Sequence, residues 1–168
     1  KDMSMKDEMD SVWRKWVPEG CDISRACVAC DLAPGDLVEM KITAVAKPEL
    51  EMVRGPTPAQ GSRRAAFVSA AGLVWTVAFP AGKTPEDSVA VQTEKALKEL
   101  DGRLAKAGTD KTRIIEATVF VKDMSMKDEM DSVWRKWVPE GCDISRACVA
   151  CDLAPGDLVE MKITAATK

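Results

Sequence analysis

The chain contains no histidine and no tyrosine among its 168 residues, and aromatic residues make up 5% of it. Without histidine there is no imidazole base, no Ser-His-Asp triad and no histidine-ligated metal. Catalysis must then use carboxylates, arginine, cysteine, hydroxyls or backbone groups. A run of about 18 apolar residues is also missing, so no membrane span is expected.

The charge pattern argues against a nucleic-acid partner. The formal net charge is −3, and both signs are interspersed along the chain. A basic field that could attract a phosphate backbone is therefore absent. The 46% apolar and 30% charged residues are typical of a globular protein, and the length suits one domain.

The cysteines occur as two sets of three, Cys21, Cys27, Cys30 and Cys142, Cys148, Cys151. Side chains three apart on a strand point to opposite faces, so Cys148 and Cys151 cannot converge on a metal if their segment is a strand. We therefore expect no metal site and reduced thiols in a cytoplasmic protein.

A repeated stretch organises the chain: residues 1–44 recur without a change as residues 122–165. The period is too long for a solenoid repeat and is close to the length of a small domain. We interpret residues 63–168 as a complete domain, 45–62 as linker and entry loop, and 1–44 as a duplicate of the domain's C-terminal part.

Two arrangements of the copies are open. In one, the chain from residue 52 folds in ordinary order and the first copy is left over. In the other, residues 1–44 supply the last helix and strands as in a circular permutation, and the second copy is displaced. Contact energies cannot choose between identical sequences, so linker strain and chain closure must decide. The displaced copy would be disordered or would dock in a neighbouring chain.

Hydrophobic periodicity predicts the order β-β-α-β-α-β-β for the complete domain. Thr84 is expected to cap the first helix, and Gly108 to end it. The predicted elements are strands 63–70, 73–79, 113–121, 145–153 and 158–167 and helices from 84 and from 125. This is an α+β fold, a mixed sheet with two helices on one face.

Two charged residues are the first candidates for chemistry. By strand alternation we expect Ala147 and Val149 to face the helices, which places Arg146 on the far face of the sheet. Glu160 is expected on that face too. Arginine binds a carboxylate through its planar fork, and a carboxylate can act as general base towards water. The alternative is that both are solvated charges.

The distance between these candidates leaves two possibilities open. If the last two strands formed a hairpin, Arg146 and Glu160 would lie roughly 16 Å apart at ~3.3 Å per residue. One small substrate could not touch both in one subunit. Either the strands are not direct neighbours, or the site is built between subunits.

Residues 63–168 resemble the Rid family, also called the YjgF-type or reactive intermediate deaminase family. The resemblance rests on the element order, on the run 117–123 (ATVFVKD), on the Arg146-x-Cys148-Val149 strand and on the ending Val159–Ala165. It implies a homotrimer with a chorismate-mutase-like fold and small-molecule clefts between subunits. It also implies hydrolysis of 2-imino and 2-enamino acids to 2-oxo acids and ammonia, with no cofactor.

The resemblance also assigns roles to residues. Arg146 would clamp the substrate carboxylate, Cys148 would line the cleft, and Glu160 would orient the hydrolytic water. Asp131 stands where active relatives often have asparagine. Val77 replaces a polar residue of the cleft, and Phe79 enters the same neighbourhood.

If residues 1–44 complete a fold instead, the corresponding positions are Arg25, Cys27, Glu39 and Asp10. Three functions follow for the domain. The first is an imine deaminase acting on a small 2-imino acid, and the second is a trimer that binds a 2-oxo or 2-imino acid without chemistry. The third, a ribonuclease, comes from a label attached to the family and is disfavoured by the acidic chain without histidine.

Overall fold

One mixed sheet dominates the computed structural model, which describes residues 2–32, 34–46, 50–57 and 62–168. Within these ranges six strands lie in the order β1-β2-β3-β6-β4-β5. Their bounds are β1 Met52–Arg54, β2 Phe67–Ala70, β3 Leu73–Ala78, β4 Ile114–Val121, β5 Ser145–Ala150 and β6 Val159–Ala166. The β4–β5 pair is parallel and the other pairs are antiparallel. The α+β class and the mixed sheet are confirmed.

Three α-helices accompany the sheet in the described residues: α1 Lys6–Trp16, α2 Val89–Lys106 and α3 Lys127–Trp137. Helices α2 and α3 are the predicted pair; they contact each other, and α2 lies against β3 and β6. The apolar stripe of α3 is buried at Met130 and Trp134, as the periodicity predicts. Helix α1 belongs to the first copy. No helix within the described ranges is long and apolar enough to cross a membrane.

Helix α2 begins later than predicted. Its cap is Ser88, whose hydroxyl accepts from the Val91 amide, and not Thr84. Thr84 and Asp87 instead close a turn before the helix, with the Thr84 amide donating to Asp87 Oδ2 at 2.9 Å. Asp87 also pairs with Lys95 at 2.5 Å. The Asp87 carboxylate thus stabilises a turn that precedes the helix.

The core lies between the sheet and the two helices of the second half. The alternate β6 residues Val159, Met161, Ile163 and Ala165 are fully buried and pack with Leu100 and other residues of α2. Burying a valine, methionine or isoleucine side chain contributes ~1.5–3 kcal/mol, so the strand that supplies three of them strongly stabilises the fold.

The second copy completes the sheet, because its β6 lies between β3 and β4. The corresponding residues of the first copy form no strand, and Val38, Met40 and Ile42 are 53%, 51% and 54% exposed. The second copy follows β4 directly in the chain, so its helix and strands close on the sheet without a long connection. Chain closure thus determines which copy enters the sheet, since the contact energies of identical sequences cannot.

The first copy is nevertheless docked on its own chain, contrary to the expectation of disorder or exchange with a neighbour. The Ile23 amide donates to the Arg63 carbonyl at 3.4 Å, and the Ala65 amide donates to the Ile23 carbonyl at 3.2 Å. Ala29 and Asp152 exchange both backbone hydrogen bonds, at 2.9 and 3.0 Å. Residues 21–30 are called the docked segment below.

Strands β5 and β6 are not neighbours, since β4 lies between them. The expected orientation of β5 was wrong. Arg146 and Cys148 pair with Ala117 and Val119 of β4, which belong to the helix-facing core, whereas Val149 is 42% exposed. The small apolar side chains of Ala147 and Val149 had suggested that these two residues, and not Arg146, face the helices. Arg146 and Glu160 therefore lie on opposite faces of the sheet.

The predicted entry loop contains a short strand. Residues 52–54 form β1, which pairs with β2 at the sheet edge. The Gly55 amide continues this pairing by donating to the Phe67 carbonyl at 2.9 Å. Positions 47–49 and 58–61, predicted as linker and loop, lie outside the described residues.

Candidate functional site

A cleft of about 280 Å³ lies where the docked first copy meets the sheet. Among its described lining residues, five are cationic and two are acidic. The lining consists of Lys6, Arg25, Cys27, Arg64, Ala65, Val77, Phe79, Lys83, Arg103, Ala154, Asp157 and Glu160. Since the first copy supplies three of these residues, two distant parts of the chain build the cleft. Its charge balance favours a small anion.

Arg25 is held firmly at the edge of this cleft. Its Nη2 pairs with Asp10 Oδ1 at 2.5 Å, and its guanidinium lies 4.8 Å from the ring centroid of Trp13. Lys6 pairs with the other oxygen of Asp10 at 2.7 Å. Burial alone would raise the pKa of Asp10, but hydrogen bonds from Lys6 and Arg25 outweigh it and keep the pKa below the ordinary value. Asp10 is thus the anionic support that orients Arg25.

One donor of Arg25 remains available. Its Nε is buried and bonds to no residue that the structure describes. A buried donor without a partner costs ~1–3 kcal/mol, so an acceptor that reaches it would bind favourably. A carboxylate is such an acceptor.

Glu160 lies in the same cleft and is 8% exposed. Its pKa is raised to about 7, mainly by burial and to a smaller extent by the charge of Asp157. The charges of Arg64 and Lys6 and a backbone hydrogen bond from Cys27 act in the opposite direction. A carboxyl group that titrates near neutrality can both accept and donate a proton, as a general acid–base group must.

The second copy repeats the arginine arrangement away from the cleft. Arg146 Nη2 pairs with Asp131 Oδ1 at 2.6 Å, and its guanidinium lies 5.1 Å from the ring centroid of Trp134. Lys127 pairs with Asp131 at 2.6 Å. Each such set consists of a lysine, an aspartate and a tryptophan of one helix together with the arginine that contacts them. We call it a helix–arginine unit. The structure thus brings Arg25, and not Arg146, to Glu160.

The other site residues predicted from the sequence also fall into two groups, those that line the cleft and those that lie away from it. Cys27, Val77 and Phe79 line the cleft, whereas Cys148 packs against the helix-side core. Glu39 lies in the exposed, strand-free part of the first copy. Burial raises the pKa of the Cys27 thiol, so it lines the cleft as a neutral group and is a poor nucleophile.

Sequence reasoning missed Arg103, whose side chain is 5% exposed. Its guanidinium donates to the carbonyls of Val77 and Ala66 and lies 5.1 Å from the Phe79 ring centroid. Its Nε pairs with Glu99 at 2.9 Å. The signal was an arginine interrupting the apolar stripe of α2 between Leu100 and Leu104. Arg103 fixes the end of β3 and the ring that borders the cleft.

Replacement of Arg103 by leucine is expected to lower the free energy of unfolding by about 2–4 kcal/mol, because two buried carbonyls lose a charged donor. Lys106, exposed on the same helix, provides the control: Lys106→Leu should change the free energy by less than about 0.5 kcal/mol. Urea unfolding measures both. Equal stability of the two variants would contradict the anchoring role.

The cleft offers cations and carboxyl groups but no metal ligand set. No cluster of three or more cysteines or carboxylates that could hold an ion exists among the described residues. Lys83 pairs with Asp157 at 2.7 Å, and Glu160 is the other acidic group among the described lining residues. The arrangement can bind a small carboxylate and move a proton to or from water.

Comparison with known proteins identifies relatives over most of the domain. Residues 60–167 match the family model described as Endoribonuclease L-PSP. A RutC family protein of Haemophilus ducreyi is 40% identical over 94 residues, which cover 54% of this chain and 80% of that protein. The RutC family protein YoaB of Escherichia coli is 37% identical over 76 residues, covering 45% and 67% of the two chains.

A solved structure agrees with the fold. The crystal structure of a YjgF-family protein from Neisseria meningitidis superposes with a TM-score of 0.64 at 34% sequence identity. The superposition covers 70% of this chain and 96% of that one.

Proposed function

We propose a function from the premise that the chain belongs to the endoribonuclease L-PSP family, which includes the YjgF and RutC proteins. The chain would hydrolyse reactive 2-imino and 2-enamino acids. The products would be a 2-oxo acid and ammonia. The observation that supports this best is Glu160, a buried carboxyl group with a pKa of about 7 in a cleft that also holds Arg25.

Substrate binding would use the positive side of the cleft. The carboxylate would take the free Nε of Arg25, whose orientation is maintained by Asp10 and Trp13. Lys6 and Arg64 add long-range attraction. The apolar walls at Val77 and Phe79 would contact the short side chain of the substrate. A volume of about 280 Å³ suits a molecule with few heavy atoms.

The reaction needs water and one acid–base group. Ionised Glu160 would take a proton from water as the oxygen attacks C2 of the protonated imine, giving a carbinolamine, and would return that proton to the nitrogen. As the C2–N bond breaks, Glu160 would take the second proton from the carbinolamine hydroxyl and pass it to the departing ammonia, so that the 2-oxo acid and ammonium leave. Atoms and charge balance as protonated imine plus water, and Glu160 ends ionised, as it began. No cofactor takes part in this scheme.

Assembly and location belong to the same proposal. The fold of this family is known for oligomeric assembly. A homotrimer, which the resemblance implies, would allow a neighbouring chain to present Arg146 where Arg25 lies here. The free cysteines of the described residues favour a reducing, cytoplasmic location. A small 2-imino or 2-oxo acid is the proposed partner, with neither nucleic acid nor membrane involved.

A binding protein without chemistry is the second candidate. Val77 is 7% exposed and apolar, and Phe79 stands beside it, so this wall offers no hydrogen bond to a reacting nitrogen. Such a site would retain a 2-oxo acid through Arg25 without accelerating hydrolysis. Ribonuclease activity, which the name of the family would suggest, gains no support from the acidic chain without histidine.

The deciding assay measures the decay of 2-iminopropanoate, generated in place by an amino-acid oxidase, above its rate in buffer. The enzyme proposal expects clear acceleration at neutral pH. Tight binding of pyruvate, measured by calorimetry, with no acceleration would instead establish the binding protein. RNA cleavage with neither property would overturn both.

A further inference from the structure

The docked segment ends against the stretch that follows β5. Ala29 and Asp152 form an antiparallel bridge there and exchange both backbone hydrogen bonds, at 2.9 and 3.0 Å. On its other side this stretch is held by β4, since the Cys151 amide donates to the Val121 carbonyl at 3.0 Å. The first copy is therefore joined to residues 62–168, called the body below, in a register that backbone hydrogen bonds fix on both sides.

This bridge places two cysteines opposite each other. Beside a pair that exchanges both hydrogen bonds, the next pair of an antiparallel ladder is a non-hydrogen-bonded one, with Cα atoms about 4.5 Å apart. Cys30 follows Ala29 and Cys151 precedes Asp152, so these cysteines occupy that position. Residues that lie directly opposite project their side chains from the same face, and a disulfide needs Cα atoms ~4.4–6.8 Å apart. The backbone thus meets the requirement for a disulfide between the two copies.

The surroundings of the two thiols differ. Cys30 is exposed, whereas Cys151 is half-buried, and both are free thiols. The pKa of Cys151 is raised to about 11, mainly by burial and further by the charges of Glu160, Cys30 and Asp152, while Lys122 acts in the opposite direction. The influence of Cys30 on this pKa supports the closeness of the two sulfur atoms. Of the two, the exposed Cys30 is the thiol that a reagent from solution reaches first.

The cysteines three positions earlier in each copy do not share this geometry. Cys148 lies on the opposite face of the strand from Cys151 and packs against the helix-side core. Cys27 lines the cleft, and its amide bonds to Glu160. Cys27 and Cys148 therefore provide matched controls for Cys30 and Cys151, one in each copy.

We propose that Cys30 and Cys151 form a reversible disulfide site that ties the first copy to the body when the chain meets an oxidising disulfide. With free thiols, the docked segment is held by few backbone hydrogen bonds, and the residues beyond it are exposed, as at Val38, Met40 and Ile42. A segment with so few buried contacts opens locally at low cost. The bond prevents that opening and retains the first helix–arginine unit beside the cleft. It joins two segments of one chain, so each chain of a homotrimer can form it.

The reaction balances with glutathione disulfide as the oxidant. The Cys30 thiolate attacks one sulfur of the reagent, the S–S bond of the reagent breaks, and one glutathione leaves. The Cys151 thiolate then attacks the Cys30 sulfur, the mixed disulfide breaks, and the second glutathione leaves. Two thiols of the chain are oxidised, the reagent is reduced, and the two glutathiones take up the two protons. Because Cys151 is largely protonated at neutral pH, the second step should quicken about tenfold for each pH unit from about 7 to 9.

Peptide mapping of the full chain after treatment with glutathione disulfide tests the site. Under denaturing conditions the expected product has the mass of one chain, with four of its six cysteines free. Trypsin should release two linked peptides of identical sequence, 26–41 and 147–162, so substitutions must locate the bond. Cys30→Ser and Cys151→Ser should each lose the linked peptides, whereas serine at either control position should retain them. Circular dichroism checks that each variant is folded.

Limited digestion of the native chain tests what the bond does. The Arg25 side chain is 11% exposed, so trypsin cleaves after it only when the docked segment opens, whereas Lys41 is exposed and needs no opening. The oxidised chain should lose cleavage after Arg25 and keep cleavage after Lys41. Unchanged cleavage after Arg25, a disulfide between chains, or absence of the internal bond at about pH 9 would overturn the proposal. So would linked peptides that survive Cys30→Ser or Cys151→Ser.

Discussion

Replacement of Arg25 by alanine is expected to lower kcat/KM for 2-iminopropanoate by about 10²–10³-fold at submicromolar protein. Removing one partner of a buried, hydrogen-bonded charge pair costs ~2–5 kcal/mol, and each ~1.4 kcal/mol is tenfold. Arg25 borders the cleft, while its sequence twin Arg146 contacts α3. Arg146→Ala should therefore cost activity much less than Arg25→Ala, although it removes the same side chain from an identical local sequence.

The comparison of the twins is informative because their local contacts match. Arg146→Ala also leaves a buried aspartate, so any general effect of that loss appears in both variants. Arg25→Lys keeps the charge but loses the planar fork and should recover part of the binding. Equal losses in Arg25→Ala and Arg146→Ala would show that the cleft at the first copy is not the reaction site. Full activity in Arg25→Ala would exclude its role as the clamp.

Glu160→Gln is expected to abolish the acid–base contribution, typically ~10²–10⁴-fold in kcat. The amide is nearly isosteric with the carboxyl group, so the cleft retains its shape. In the natural chain kcat/KM should rise with pH through about 7, because the ionised form is the base. The variant should show a low, flat profile over this range. A natural profile without an inflection near 7 would argue against Glu160 as the base.

The same substitution has an effect on stability with a defined sign. The pKa of Glu160 is raised from 4.5 to about 7, so the folded state binds the proton more tightly than the unfolded state does. The resulting stabilisation is fully present below pH ~4.5 and is lost as pH rises through about 7. A shift of this size corresponds to ~3 kcal/mol. Glu160→Gln should therefore raise the free energy of unfolding above that of the natural chain at pH 8, and by much less at pH 5. Urea unfolding of both chains at both pH values measures this difference.

Local signals predicted much of the fold. The β-branched run 114–121 became β4, and the periodic Met130 and Trp134 became the buried face of α3. The predictions that were wrong concern positions where two side chains compete for the same role or the same face. Ser88 displaced Thr84 as the cap of α2, and burial of Arg146 against Trp134 reversed the expected faces of β5. A cation that can lie over a ring does not follow the apolar pattern of its strand.

The site could be predicted only by residue type. Arginine, cysteine and glutamate were identified from the repeated sequence, but the copy that supplies each one was not. Arg25 and Glu160 are 135 positions apart, and the register between them depends on non-local backbone pairing. Arg103 was missed because the Val77 and Ala66 carbonyls that it binds are distant in the sequence, and its local pair with Glu99 does not indicate burial.

The exposed residues Val38, Met40 and Ile42 show that one sequence has two structures in this chain. Their counterparts form the central strand between β3 and β4. During refolding both segments therefore compete for the position between β3 and β4. A chain that inserts the first copy there must release it before it can reach the native strand order. We therefore expect the duplication to create a kinetic trap in the folding pathway, which a chain with one copy would not have.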